Sequence, residues 1–265
     1  MTFRQAGRLR VQAAALGGLL LLALLAGCSG DGGPKGPKAT PTPSPEPSGL
    51  TDLDRYHYVT TLTLHGSRPD GSGNDISVTT EGDFQKPDRT SFTYTTTLPG
   101  VATQQSAIIL GDQIWIRNGN DPWRESSLDD PQVSRLLGVT FSPINPSFLG
   151  GPEFRAARDS VRRLPASLEF VNELRAYHYP IGQAGMQYFQ QLLVQGPITL
   201  DLQDMKWDVW LAQDGAWPVR LQATATIKNE LPILQELDLK APTDWGLRID
   251  ISKPNDANII VRAPV

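Results

Sequence analysis

The segment KWDVWLAQDGAWPVRLQATATI, Lys206 to Ile227, decides the fold. Trp207, Val209 and Leu211 alternate with Lys206 and Asp208. Across Asp214-Gly215, Trp217, Val219, Leu221, Ala223, Ala225 and Ile227 alternate with Arg220, Gln222, Thr224 and Thr226. A period of two with one apolar side is the mark of half-buried antiparallel strands joined by a turn.

Working outward, the same period recurs on both sides. Tyr58, Leu62 and Leu64 share one face of a strand whose other face carries Thr61, Thr63 and His65. Further strands are predicted at Ile76 to Asp83, Thr90 to Leu98, Ser106 to Leu110 and Gln113 to Arg117, with Gly111-Asp112 turning between the last two. Leu247, Ile249 and Ile251 repeat the alternation near the end, and Leu168 to Tyr179 reads as one extended segment. Helices are predicted over Asp129 to Gly138, Pro152 to Leu164 and Gln183 to Gln195, where apolar residues fall at helical spacing. Strands and helices do not alternate regularly, so parallel crossovers are not expected. An α+β fold follows, an antiparallel sheet with inserted helices. Tyr56-His57-Tyr58 and Tyr177-His178-Tyr179 hint at two related halves or at a shared strand-edge preference.

Upstream of the strands the composition changes twice. Arg4, Arg8 and Arg10 precede an apolar run from Ala13 to Gly27, the plan of a secretory leader spanning residues 1–27. That run is shorter than the ~18 apolar residues of a spanning helix. It ends at Leu25-Ala26-Gly27-Cys28, which resembles a bacterial lipobox, so Cys28, the single cysteine, is the expected lipid anchor. Two acyl chains on one residue suffice for stable attachment. Ser29 to Gly49 holds six prolines and five glycines and cannot bury enough apolar surface to fold, so residues 28–49 are expected to form the lipidated start of a flexible tether. Extended at about 3.1 Å per residue, the tether reaches roughly 65 Å. Residues 50–265 remain for one domain, placed at the extracytoplasmic face of the cell membrane.

Charge and chemistry narrow the function further. Losing the three leader arginines takes the formal charge from -4 to -7, which argues against nucleic acid as a partner. The chain shows no nucleophile elbow, zinc-type histidine pair or phosphate-cradling loop, and no cofactor or metal is expected. His57, His65 and His178 read as structural, Asp129-Asp130 as a helix start, and Asp201, Asp204 and Asp208 as an exposed strand face. Arg155, Arg158, Arg162 and Arg163, with Asp159 among them, read either as a solvated helix face or as a site for lipid phosphates.

Five motifs stand along the chain in this order: Glu81-Gly82-Asp83-Phe84 with Lys86-Pro87-Asp88-Arg89; Gly111-Asp112-Gln113-Ile114-Trp115-Ile116-Arg117 with Trp123; Arg175-Ala176-Tyr177-His178-Tyr179; Trp207-Asp208-Val209-Trp210-Leu211 before Pro218-Val219-Arg220-Leu221; and Asn255 to Val261. Their order resembles that of the LolA/LppX/LprG-like bacterial lipoprotein superfamily, which also includes RseB. The resemblance implies a strongly curved antiparallel sheet, a half barrel, with helices covering its concave apolar face and a lipid-accepting cavity between. No single ligand residue carries over from it.

The apolar faces supply the candidate ligand-binding set. From the strands come Leu62, Leu64, Phe84, Phe92, Tyr94, Ile108, Ile114, Ile116, Trp207, Val209 and Leu211; from the helices come Leu136, Leu137, Phe141, Met186, Phe189 and Leu193. Ordinary core explains each of these as well as a cavity does. The expected function is a non-enzymatic, membrane-anchored lipoprotein that carries lipid, glycolipid or lipoprotein acyl chains. The alternative is a sensor or interaction module of envelope signalling, with a protein partner on the same fold.

Overall fold

The computed structural model describes residues 49–130, 132–133, 149, 152–181, 202–230, 234–235 and 237–265. The leader, Cys28, nearly all of the tether, most of the predicted 129–138 helix and the whole 183–195 helix lie outside them.

Eleven strands follow a short 3-10 turn at Leu50–Asp52: β1 Arg55–Ser67, β2 Gly73–Gln85, β3 Arg89–Leu98, β4 Val101–Leu110, β5 Gln113–Asn118, β6 Arg124–Ser126, β7 Ser167–Val171, β8 Leu174–Pro180, β9 Leu202–Ala212, β10 Pro218–Ile227 and β11 Lys240–Ser252. The helix α1, Pro152–Val161, stands between β6 and β7. All eleven strands form one sheet in the order β6-β5-β4-β3-β2-β1-β11-β10-β9-β8-β7, and every pairing is antiparallel. The sheet stays open, with β6 and β7 as edges. A twisted sheet of this width that buries one face curls around it, which gives the expected half barrel.

Register decides which side chains meet. Tyr58 stands opposite Ile251, Leu62 opposite Leu247 and Leu64 opposite Trp245, so the apolar side of β1 continues into β11. Leu221 opposite Ile249 and Val209 opposite Leu221 extend it through β10 and β9. Phe92 opposite Ala107 and Ala107 opposite Ile116 extend it the other way. This inner face is the core, and Phe154, Ala157 and Val161 of α1 belong to the same cluster. Burying Phe154 completely contributes about 2–3 kcal/mol.

The motifs quoted from the sequence have local reasons. Gly82 faces Phe92, and a Cβ on it would come within 2.3 Å of the Ser91 carbonyl oxygen, so only glycine permits this approach of β2 to β3. Phe84 stacks on Tyr56 at 4.9 Å. Asn255 accepts hydrogen bonds from the backbone N–H of Asp54 at 2.7 Å and of Arg55 at 3.4 Å, while Val261 N–H donates to the Gln85 side chain at 3.0 Å. The end of the chain thus closes over the start of β1.

Three expectations need correction. Leu168 to Tyr179 is a hairpin of β7 and β8, not one extended segment, because Asn172 and Glu173 both adopt positive φ. Asn172 is fixed there by side-chain donation to the carbonyls of Val219 at 3.1 Å and Ile251 at 3.2 Å and to Asp250 at 3.0 Å. Arg158 does not join a solvated helix face: it is buried and its guanidinium holds Asp159 at 2.9 Å. The helix expected to run from Pro152 to Leu164 ends at Val161, and Arg162 to Leu164 follow it outside the helix.

Candidate functional site

The inner face of the sheet is the candidate site. Of the strand residues proposed as ligand-lining, Leu62, Leu64, Phe84, Phe92, Tyr94, Ile114, Ile116, Trp207, Val209 and Leu211 all project to it, joined by Tyr56, Tyr58, Leu221, Trp245, Leu247 and Ile249. Ile108 does not. The two-residue Gly111-Asp112 turn pairs Leu110 with Gln113, which sets Ile109 opposite Ile114 and Ile108 opposite Trp115. Ile108 therefore lies on the outer face, and Ile109 takes the inner place. The period of two and the turn length together contained that information. Leu136, Leu137, Phe141, Met186, Phe189 and Leu193 lie outside the described residues.

Burial varies along this face. Near β11 it is complete, at Tyr58, Ile249 and Ile251. Over β1 to β4 it is partial at Leu62, Val78, Tyr94, Leu98 and Ile109. Leu62 opposes Val78, and Tyr94 lies one strand beyond, opposite Thr80, so these half-covered residues adjoin one another, while Ile109 stands apart, opposite buried Thr90 and Ile114. Between the two zones sits Thr60, buried opposite Ile249 and Thr80, with its hydroxyl unpartnered among the described residues. A buried hydroxyl left unpaired costs about 1–3 kcal/mol, a cost that water or the polar end of a ligand removes. The period of two sets Thr60 inward between Tyr58 and Leu62, but a search for apolar residues passes over it because its side chain is polar.

The buried phenols of Tyr56 and Tyr58 are pushed well above the usual tyrosine range by desolvation, and Tyr58 lies 3.4 Å from the Thr90 hydroxyl. They remain neutral across all ordinary pH, so this face carries no charge near its centre. Among the described residues no group of three or more His, Cys, Asp or Glu side chains is arranged to hold a metal ion. No helix among them is long and apolar enough to cross a membrane.

The outer face is polar and carries its own structure. His57 of β1 lies 2.8 Å from Asp83 and 3.5 Å from Glu81. His178 of β8 sits between Glu169 and Asp208, each at 2.8 Å, and stacks on Trp210 with ring centres 4.2 Å apart. Trp210 N–H donates to Glu169 at 2.8 Å, the main reason that carboxyl stays below its usual range, aided by His178 and Ser167. Beside them Arg220 donates to Asp250 at 2.6 Å. Burial alone would raise the Asp250 carboxyl, but hydrogen bonds from Arg248, Asn172 and Arg220 outweigh it and hold the group low. The sequence reading of His178 as structural and of Asp208 as merely exposed missed this joint role.

Further along the outer face, Arg117 lies over Trp123 at 4.6 Å, beside a groove of about 420 Å³ that Asp83, Thr93 and Ser106 also line. His65 pairs with Asp75 at 3.0 Å in the open. Asp130, read as a helix start, accepts hydrogen bonds from Ser126 and from the Gln132 N–H and is lowered to about 2 by these and by Arg124.

No family model and no curated protein matches the sequence. Among solved structures, the chain is similar to the LolA superfamily protein NE2245 from Nitrosomonas europaea, at 13% identity over 80% of this chain and 91% of that one, with a TM-score of 0.26. It is similar to a DUF1329 family protein from Desulfovibrio piger, at 12% identity over 80% and 89% of the two chains, TM-score 0.23. It is also similar to MucB in its complex with MucA(peri), at 12% identity over 81% and 57%, TM-score 0.20. The first of these belongs to the superfamily that the sequence motifs resemble. At such identities and TM-scores the likeness says nothing of ligands, and the fold stands on strand order and register.

Proposed function

We propose that this protein is a membrane-anchored lipoprotein that binds lipid, glycolipid or lipoprotein acyl chains on the inner face of its half barrel and carries them without enzymatic turnover. The observation that carries this reading is the half-covered apolar floor of Leu62, Val78, Tyr94 and Leu98, bordered by the Thr60 hydroxyl, unpartnered among the described residues. Apolar transfer supplies about 0.8 kcal/mol per buried methylene, so a partly enclosed acyl chain is held usefully. Thr60 would meet its ester or carboxyl end. Cys28 would bear the anchor, and the Pro/Gly-rich tether would set the reach from the extracytoplasmic face.

The test is native mass spectrometry of the chain purified from its own host, followed by organic extraction. A bound lipid at one per chain, diminished by Leu62→Trp, is the expected result. An empty chain that stays empty after incubation with host lipids overturns the carrier reading. It would leave the alternative, a signalling module whose protein partner docks on the polar outer groove.

A further inference from the structure

Four of the eight large apolar side chains that stand exposed among the described residues fall within one short span: Leu164 at 41%, Leu168 at 51%, Phe170 at 74% and Tyr177 at 37%. Their crowding calls for a partner, since scattered exposure would not. Leu168 opposes Tyr177 and Phe170 opposes Arg175 across the β7–β8 hairpin, so these four residues share one face. β7 is an edge of the sheet, and among the described residues no strand pairs with its outer side. Leu164 ends the turn that leads from α1 toward the same edge.

Cations outnumber anions around this patch. Arg162 and Arg163 occupy the turn beside Leu164, Arg175 stands across from Phe170, and all three are exposed. None takes part in the ion pairs formed among the described residues. Glu169 points to the opposite face, held by Trp210 and His178, which leaves Glu173 at the tip as the other carboxylate of the hairpin. In a chain of net charge -4, such a cationic rim around apolar tips is a local exception.

The geometry points to a bilayer-docking edge: Phe170, Leu168, Leu164 and Tyr177 enter the interface of an anionic membrane while Arg162, Arg163 and Arg175 meet lipid phosphates. Apolar tips with basic neighbours are the chemistry that an anionic bilayer surface accepts. Docking would turn the β7 end of the half barrel toward the membrane. Tyr177 stands opposite Leu211, so these tips continue the inner face at its β7 edge. Docking does not rest on the cargo reading, because this edge meets a bilayer whether or not the middle of the inner face holds a lipid.

The experiment uses residues 45–265, a compact unit that contains every described strand and the whole described core. Sedimentation with vesicles of phosphatidylcholine alone is compared with vesicles containing roughly a third phosphatidylglycerol, at low salt. Binding to the anionic vesicles only is expected. Each of Arg162→Gln, Arg163→Gln and Arg175→Gln should weaken it roughly fivefold, and Phe170→Ser roughly tenfold. Thermal melting of each variant should match the parent, and the three arginine variants keep the test open should Phe170→Ser melt early. Equal binding of parent and variants, or no binding to anionic vesicles, overturns the proposal. So does a dimer in light scattering that Phe170→Ser dissolves while vesicle binding is absent, which would assign the edge to a second copy of the chain.

Discussion

The tripeptide Tyr-His-Tyr occurs twice, at residues 56–58 in β1 and at 177–179 in β8, and the two copies meet different fates. In β1, flanked by β2 and β11 in the middle of the sheet, both tyrosines are fully buried and His57 faces a close carboxylate at 2.8 Å. In β8, one strand from the edge, Tyr179 is buried but Tyr177 stands over a third exposed, and His178 is gripped by two carboxylates and an indole. The sequence sets the alternation in both. What lies beyond each strand sets the burial, so the first copy serves the core and the second serves a surface.

The largest test of this contrast removes the rings. Tyr58→Ala should cost about 3–5 kcal/mol in urea unfolding, as for other buried aromatic side chains, whereas Tyr177→Ala should stay within about 0.5 kcal/mol. Equal losses would mean that position in the sheet does not decide their roles.

A smaller effect separates the histidines. His178→Ala strips two carboxylates and an indole of their shared partner and should cost about 1–2 kcal/mol, with partial exposure limiting the loss. His57→Ala should cost about half of that. A larger loss at His57 would break the ordering. Deleting Glu169 and Asp208 together should then make His178→Ala nearly silent, which a double-mutant cycle reads directly.

The smallest effect is the response to acid. Asp250 and Glu169 both titrate below their ordinary range in the folded chain, so the stability they contribute is present above the unfolded carboxylate value, about 4, and is lost as pH falls through the folded values. Asp250→Asn should therefore narrow the gap in unfolding free energy between pH 7 and pH 3. An unchanged gap would show that the outer network of the second half is not coupled to folding.

Particular residues mark where sequence reading stopped. Alternation placed Leu62, Leu64, Phe92, Ile114, Trp207 and Val209 on one face, because the period of two is a property of the strand itself. It missed Ile109 for Ile108, although the Gly111-Asp112 turn already carried that register. It also missed the β7–β8 hairpin, because Asn172-Glu173 is a poor turn signal on its own. Glutamate at positive φ is disfavoured, and the turn holds through Asn172 bonding to Val219, Asp250 and Ile251, residues remote in sequence.

The sequence by itself determined the class of the fold, since local alternation and turn residues act over a few positions and need nothing else. It also set out the leader, Cys28 and the tether as expectations. Only the tertiary structure decided that the eleven described strands share one open sheet, that Thr60 is buried without a partner among the described residues and that Phe170 ends in the open. Each of those depends on which distant strand, if any, lies alongside, and a one-dimensional pattern carries no record of its neighbours.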